Sequence, residues 1–243
     1  MRKHFAGLVS FGAVVWLLSA GCASPPPKRT LTMIEQIAED NQTAKNLWSQ
    51  FEKKIEFERR PDLEKYLNQL ARKLAQGKEG SSLRNVRIRI HLDKNPAQSR
   101  WFSFPGTVIS IPASALKQIE YENELAAGIA YELANVLNRH LAHKMEGGMN
   151  PILFGDGSIF ELDRSERGES LQLGTKLMYY AGYDLRGMAS VFQRYPDFFG
   201  GLSSKKEVEF NVKESLKFRS GFLPARDPVV RSPEFIRFKK KLK

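Results

Sequence analysis

A single cysteine, Cys22, is present among 243 residues, so the chain can form no internal disulfide and no multi-cysteine metal site. Histidine is nearly as scarce. Of four histidines, His4 falls in an apolar N-terminal segment, which leaves His91, His140 and His143 for any chemistry of the folded part. No Gly-x-Ser-x-Gly elbow occurs, so a Ser-His-Asp hydrolase has neither its nucleophile turn nor a choice of bases. His140 and His143 stand three apart on one helical stretch, with no carboxylate or thiol spaced to complete a metal set, and read as surface histidines. His91 alternates with Ile90 and Leu92, a pattern that points it out of the solvent face of a strand. Gly147 and Gly148, followed by Met149-Asn150-Pro151, do not match a phosphate-binding loop. Lys and Arg outnumber Asp and Glu by 38 to 27, for a formal charge of +11, yet no basic cluster interleaved with aromatics occurs outside the extreme C-terminus. Nucleic acid is therefore not an expected partner. With 42% hydrophobic and 27% charged residues, the remaining chain has the composition of one globular core.

The N-terminus carries its own signal. Arg2 and Lys3 precede an apolar run from Phe5 to Leu18 that is short for a bilayer span, and small residues follow it. Residues 1–21 read as an export signal. Leu18-Ser19-Ala20-Gly21-Cys22 resembles the lipobox of bacterial lipoproteins, with Ser19 where Leu is more usual. The resemblance implies acylation of Cys22 by several chains, hence a lipid bilayer as partner, and leaves no thiol for catalysis. Ala23 in place of Asp resembles the sorting signal for the periplasmic face of the Gram-negative outer membrane. Residues 22–39 form the acylated cysteine and tether, Pro-rich over Ala23–Arg29, and residues 40–243 the folded domain.

Periodicity within that domain predicts a mostly helical α+β fold. Leu47, Phe51 and Ile55 recur every fourth position, and Leu63, Tyr66, Leu67, Leu70 and Leu74 mark a second stripe after Pro61. Strands are predicted over 86–92, 101–104 and 108–111, giving a small sheet of about three strands. A Pro-free helix is predicted from Glu122 to Met145, its Ala126, Ala127, Ala130 and Ala134 implying close packing. Residues 146–163 read as an apolar loop, followed by helices over 164–181, 185–195 and 205–218, and a basic tail over 237–243.

The order of these pieces resembles a known family. Phe102-Ser103-Phe104-Pro105-Gly106 between strands, Glu124-Leu125-Ala126-Ala127 opening a helix that ends Asn138-Arg139-His140, and Tyr180-Ala181-Gly182-Tyr183-Asp184 before another helix are similar to the zinc metallopeptidases related to HtpX, BepA and the CAAX prenyl protease. The resemblance covers nearly all of 40–243 and implies a zincin-like fold. In that family the long helix carries His-Glu-x-x-His, two imidazoles that bind zinc and a glutamate that activates its water. Here the same positions read Tyr131-Glu132-Leu133-Ala134-Asn135. Counting back from Gly182 places the family's third ligand, a glutamate, on Arg167. Phenol and carboxamide are poor substitutes for imidazole, and a guanidinium repels a cation. The expectation is a site with no zinc or other cofactor, in which the buried Glu132 is paired with Arg167.

The resemblance therefore implies a pseudopeptidase, retaining Glu132 as an idle general base and Tyr131, Asn135 and Arg167 as degenerate metal positions. Trp101, Phe102 and Phe104 fall where the family's substrate-facing edge strand lies, and such an edge binds extended peptide through its backbone. Core packing is the competing role for Phe102 and Phe104. The preferred function is a binding or scaffold role toward an envelope protein or peptide. The alternative is an active zinc-dependent endopeptidase of envelope quality control, and a third is lipid or envelope-polymer binding by the basic tail.

Overall fold

The helix with the strongest sequence signature is the axis of the molecule. Helix α4 (Glu122–Leu137) is buried along its entire length, and the small alanines that it presents let α6 (Arg164–Tyr180) pack directly against it. Acidic Glu122 and Glu124 occupy its first turn, where the helix dipole favours negative charge. Gly128 allows one especially close approach: a Cβ there would lie 2.8 Å from the Trp101 ring. The computed structural model describes residues 32–83, 87–93, 99–105, 108–147, 161–200, 202 and 204–242. They belong to one compact unit, Leu31–Lys243. Cys22, the export signal and the Pro-rich tether lie outside the described residues, as does most of the 146–163 loop.

Among the described residues the fold is α+β, mostly helical with one small mixed sheet. Strand β3 (Val108–Pro112) is central, β1 (Arg87–His91) runs parallel to it, and β2 (Phe102–Phe104) runs antiparallel on its other side. Ile88 pairs with Ile109 and Ile90 with Ile111, and these side chains join the main core with α2 (Pro61–Leu74), α4 and α6. The second sheet face is covered too. Helix α1 (Met33–Lys54) lays Leu47 and Phe51 over it, and Phe51 meets Phe102 and Phe104 at ring-centroid distances of 5.2 and 4.9 Å. His91 is consequently not on a solvent face. It is fully buried, its Nδ1 2.8 Å from the Ser110 hydroxyl and its ring against Phe51 and Phe102.

Three further departures have local causes. The helix predicted from Glu122 to Met145 breaks at Arg139, which adopts left-handed φ 56°, ψ 27° before α5 (His140–Glu146) resumes. Left-handed backbone costs a non-glycine residue about 1–2 kcal/mol. Its guanidinium offsets this by grasping Asp40 of α1 with two 2.9 Å bonds and Glu146 with one of 2.8 Å. A short helix α3 (Ala113–Gln118) follows β3 directly. The C-terminal basic segment is not a solvated tail but part of α9 (Pro233–Lys241), capped by the Ser232 hydroxyl and anchored by buried Phe235 and Phe238. Lys239 donates to the carbonyls of Leu116, Lys117 and Ile119 at 2.7, 2.8 and 2.8 Å, capping the end of α3.

Helix α6 ends in a Schellman turn, with Gly182 at φ 76° and the Tyr183 amide donating to the Met178 carbonyl. Helices α7 (Arg186–Arg194) and α8 (Lys205–Ser220) follow and pack on one another. None of the described helices is long and apolar enough to cross a membrane.

Candidate functional site

Tyr131, Glu132 and Asn135 project from α4 into a small cleft beside β2. The other lining residues include Trp101, Ser103, His140 and Leu162. The helical repeat supplies this grouping: positions 131 and 135 lie one turn apart, with 132 beside them. From the opposite wall the pleat of β2 turns Ser103 toward the cleft, while Phe102 and Phe104 point to the aromatic cluster under α1. The cavity measures about 20 Å³, room for one water.

Glu132 is the charged group at its centre and is buried. Asn135 Nδ2 donates to its carboxylate at 2.9 Å, with the Ser103 hydroxyl as a second donor. Burial raises its pKa to about 6, against the lowering effect of both donors. Tyr131 packs edge-on against Phe192 and Phe199, with centroids 5.0 and 5.8 Å away, and burial followed by the Glu132 charge pushes its hydroxyl pKa up. Asn135 Oδ1 and the Trp101 indole nitrogen are buried polar atoms without hydrogen-bond partners among the described residues.

Arg167 does not pair with Glu132. The guanidinium of this buried residue donates to the Leu162 carbonyl at 2.6 Å and to the Glu207 carboxylate of α8. Glu207 also accepts from Arg164 at 2.8 Å, so α6 and α8 are clamped through two arginines on one carboxylate. Glu132 can remain buried without a cation because two neutral donors lower its cost and its proton affinity rises. The three positions that the resemblance aligns with metal ligands thus divide. Tyr131 and Asn135 share the cleft with Glu132, while Arg167 sits behind Leu162, within electrostatic influence of Tyr131 but turned to Glu207.

Tyr131, Asn135 and Arg167 are poor zinc donors. Asn135 directs its amide to Glu132, leaving one neutral carbonyl oxygen; a phenol whose pKa is raised resists forming phenolate, and Arg167 is a cation. Among the described residues no three His, Cys, Asp or Glu side chains converge as metal donors.

Sequence reasoning missed two residues here. His140, read as surface, is buried in the cleft wall with Nε2 3.1 Å from the Ser170 hydroxyl, and burial lowers its pKa. His143 is exposed. Ser103 was overlooked as a donor to Glu132, although the alternation Phe-Ser-Phe placed it on the face opposite the aromatics. Trp101, Phe102 and Phe104 are buried core side chains; Trp101 stacks on Phe199, and its amide donates to the Phe198 carbonyl at 2.9 Å. In sheet order β2 is an edge. Comparison of the chain with protein-family models and with curated proteins gives no match to either.

Proposed function

We propose that this chain is a lipoprotein anchored through Cys22 at the periplasmic face of the outer membrane, carrying a zincin-like, metallopeptidase-derived unit that binds peptide without hydrolysing it. The observation that carries the reading is the 2.9 Å bond from Asn135 Nδ2 to Glu132. At the position where the resemblance implies an imidazole ligand, the side chain serves the glutamate instead of a metal. Without a metal to acidify the water and polarise the scissile carbonyl, a lone carboxylate supplies only general-base assistance. Binding in place of hydrolysis is supported by the place of β2 at the sheet edge, beside the cleft. An extended segment of an envelope protein added along Phe102–Phe104 would gain backbone hydrogen bonds, with the buried aromatics holding the strand rigid.

The active-endopeptidase alternative draws on Glu132 itself, whose pKa of about 6 in a cleft resembles that of a tuned general base. One experiment separates the two. Full-length protein is incubated with unfolded casein, hydrolysis is followed, and hydrogen exchange is measured over 101–105 and 135–142. The proposal expects protection of those segments and no cleavage above a Glu132→Gln control. Chelator-sensitive cleavage lost in that control would establish the peptidase instead, and absence of protection would remove the peptide edge.

A further inference from the structure

A cavity larger than the Glu132 cleft lies away from it, where the ends of α6 and α8 meet the turn into α7. It measures about 510 Å³, within the range of small-molecule sites. Its floor is fixed by the Schellman turn at Gly182 and by two backbone bonds that tie Val229 to it: the Val229 amide to the Gly182 carbonyl at 2.9 Å, and the Asp184 amide to the Val229 carbonyl at 3.0 Å. Pro224 and Pro228 stiffen the returning segment that forms one wall. The other walls are apolar. Tyr179 and Phe222 meet at a centroid distance of 4.7 Å, and Leu216 and Leu223 line the rim. Those two leucines are 47% and 80% exposed, which costs hydration free energy that an apolar ligand would recover.

Charge in the groove is unbalanced in one direction. Asp184 is neutralised by Arg186, which donates from its backbone amide and its Nε at 2.8 Å each. Arg219, also lining the groove, adds its charge to that of Arg186 in holding the Asp184 carboxyl pKa down, so two cations face one carboxylate. A guanidinium that is weakly hydrated and fork-shaped is suited to a carboxylate. Apolar walls, an open rim and an excess of one positive charge complement a molecule with an apolar body and a single anionic head.

We infer that this groove is a binding site for a free single-chain amphiphile with a carboxylate head, its head on Arg219 and its tail over Phe222 and between Leu216 and Leu223. This site is independent of the peptide-binding reading, shares no residue with the Glu132 cleft and requires no chemistry there. Its ligand is a monomeric fatty carboxylate in solution, not a lipid within a bilayer.

The test uses full-length protein in membranes of the producing cells and a dodecanoate probe with a photoreactive diazirine near its tail. Labelled residues are mapped by mass spectrometry. Saturable labelling on Leu216 and over 222–225 is expected, competed by plain dodecanoate but not by dodecanol or phosphatidylglycerol vesicles. Arg219→Glu should reduce labelling about tenfold, and Ala225→Trp, which fills the groove from an exposed wall position, should abolish it. Both substitutions lie on exposed positions, so the fold is not at stake. Labelling unchanged in Arg219→Glu, equal competition by dodecanol, competition only by vesicles, or labels mapping elsewhere would each overturn the assignment.

Discussion

Asn135 donates its amide to the carboxylate of Glu132 across 2.9 Å, one helical turn within α4. Burial outweighs the lowering effect of this bond, so the folded pKa of Glu132 stands near 6, above the ordinary 4.5. Because the native state binds this proton more tightly than the unfolded chain, stability is greatest below pH 4.5 for this group. It falls as pH rises through 6, by about 2 kcal/mol in total. Glu132→Gln removes that dependence. The variant should gain about 4–8 °C in Tm at pH 8 and show little gain at pH 4.5, as measured by circular dichroism melts. A loss of stability at pH 8 would show that the ionised carboxylate is held more favourably than the geometry implies.

Arg167 and Glu207 join α6 to α8, with Arg164 on the same carboxylate. Removing a buried partner leaves an uncompensated charge, but Arg164 remains for Glu207, so Arg167→Met should cost about 2 kcal/mol, below the usual range. Adding Glu207→Gln should recover part of it. Denaturant unfolding of the single and double variants measures the coupling; strict additivity would contradict the clamp.

Asp40 and Arg139 hold α1 against the kinked junction of α4 and α5. Asp40→Ala should cost about 3 kcal/mol and raise hydrogen exchange in α1 and α5 before the rest of the protein. Uniform loss of protection would indicate that α1 unfolds only with the whole unit.

Lys239 closes α3 through three carbonyls. Lys239→Met keeps the aliphatic stem but removes the donors, and should cost about 1–3 kcal/mol, with exchange rising over residues 113–119. A variant as stable as the parent would reduce the lysine to a surface charge.

What the sequence displayed was periodicity, and what it concealed was partnership. Leu63 through Leu74 and the alanines of α4 announce helices because burial repeats along the chain itself. Arg139 gives no such sign, since the residue that holds it in left-handed backbone lies 99 positions away. The burial of His91 follows from α1 crossing a second sheet face, which alternation within β1 cannot register. Arg167 was matched to the nearest buried carboxylate by family position, whereas its partner arrives 40 residues later on α8. Helix α9 was legible in principle: Ser232-Pro233 is a helix start and Phe235 with Phe238 an apolar pair, but the lysine run dominated the reading. At the cleft, Tyr131, Glu132 and Asn135 lie together because one turn of α4 carries all three. Ser103 and His140 were missed because each acts through a neighbour distant in sequence.

The central claim is that the cleft around Glu132 operates without a metal. Elemental analysis of purified full-length protein, prepared without chelator and with zinc in the growth medium, tests it most directly. The account predicts zinc well below one per chain and no change on Asn135→Ala. One zinc per chain, released by chelator and lost together with casein hydrolysis in Asn135→Ala, would contradict it.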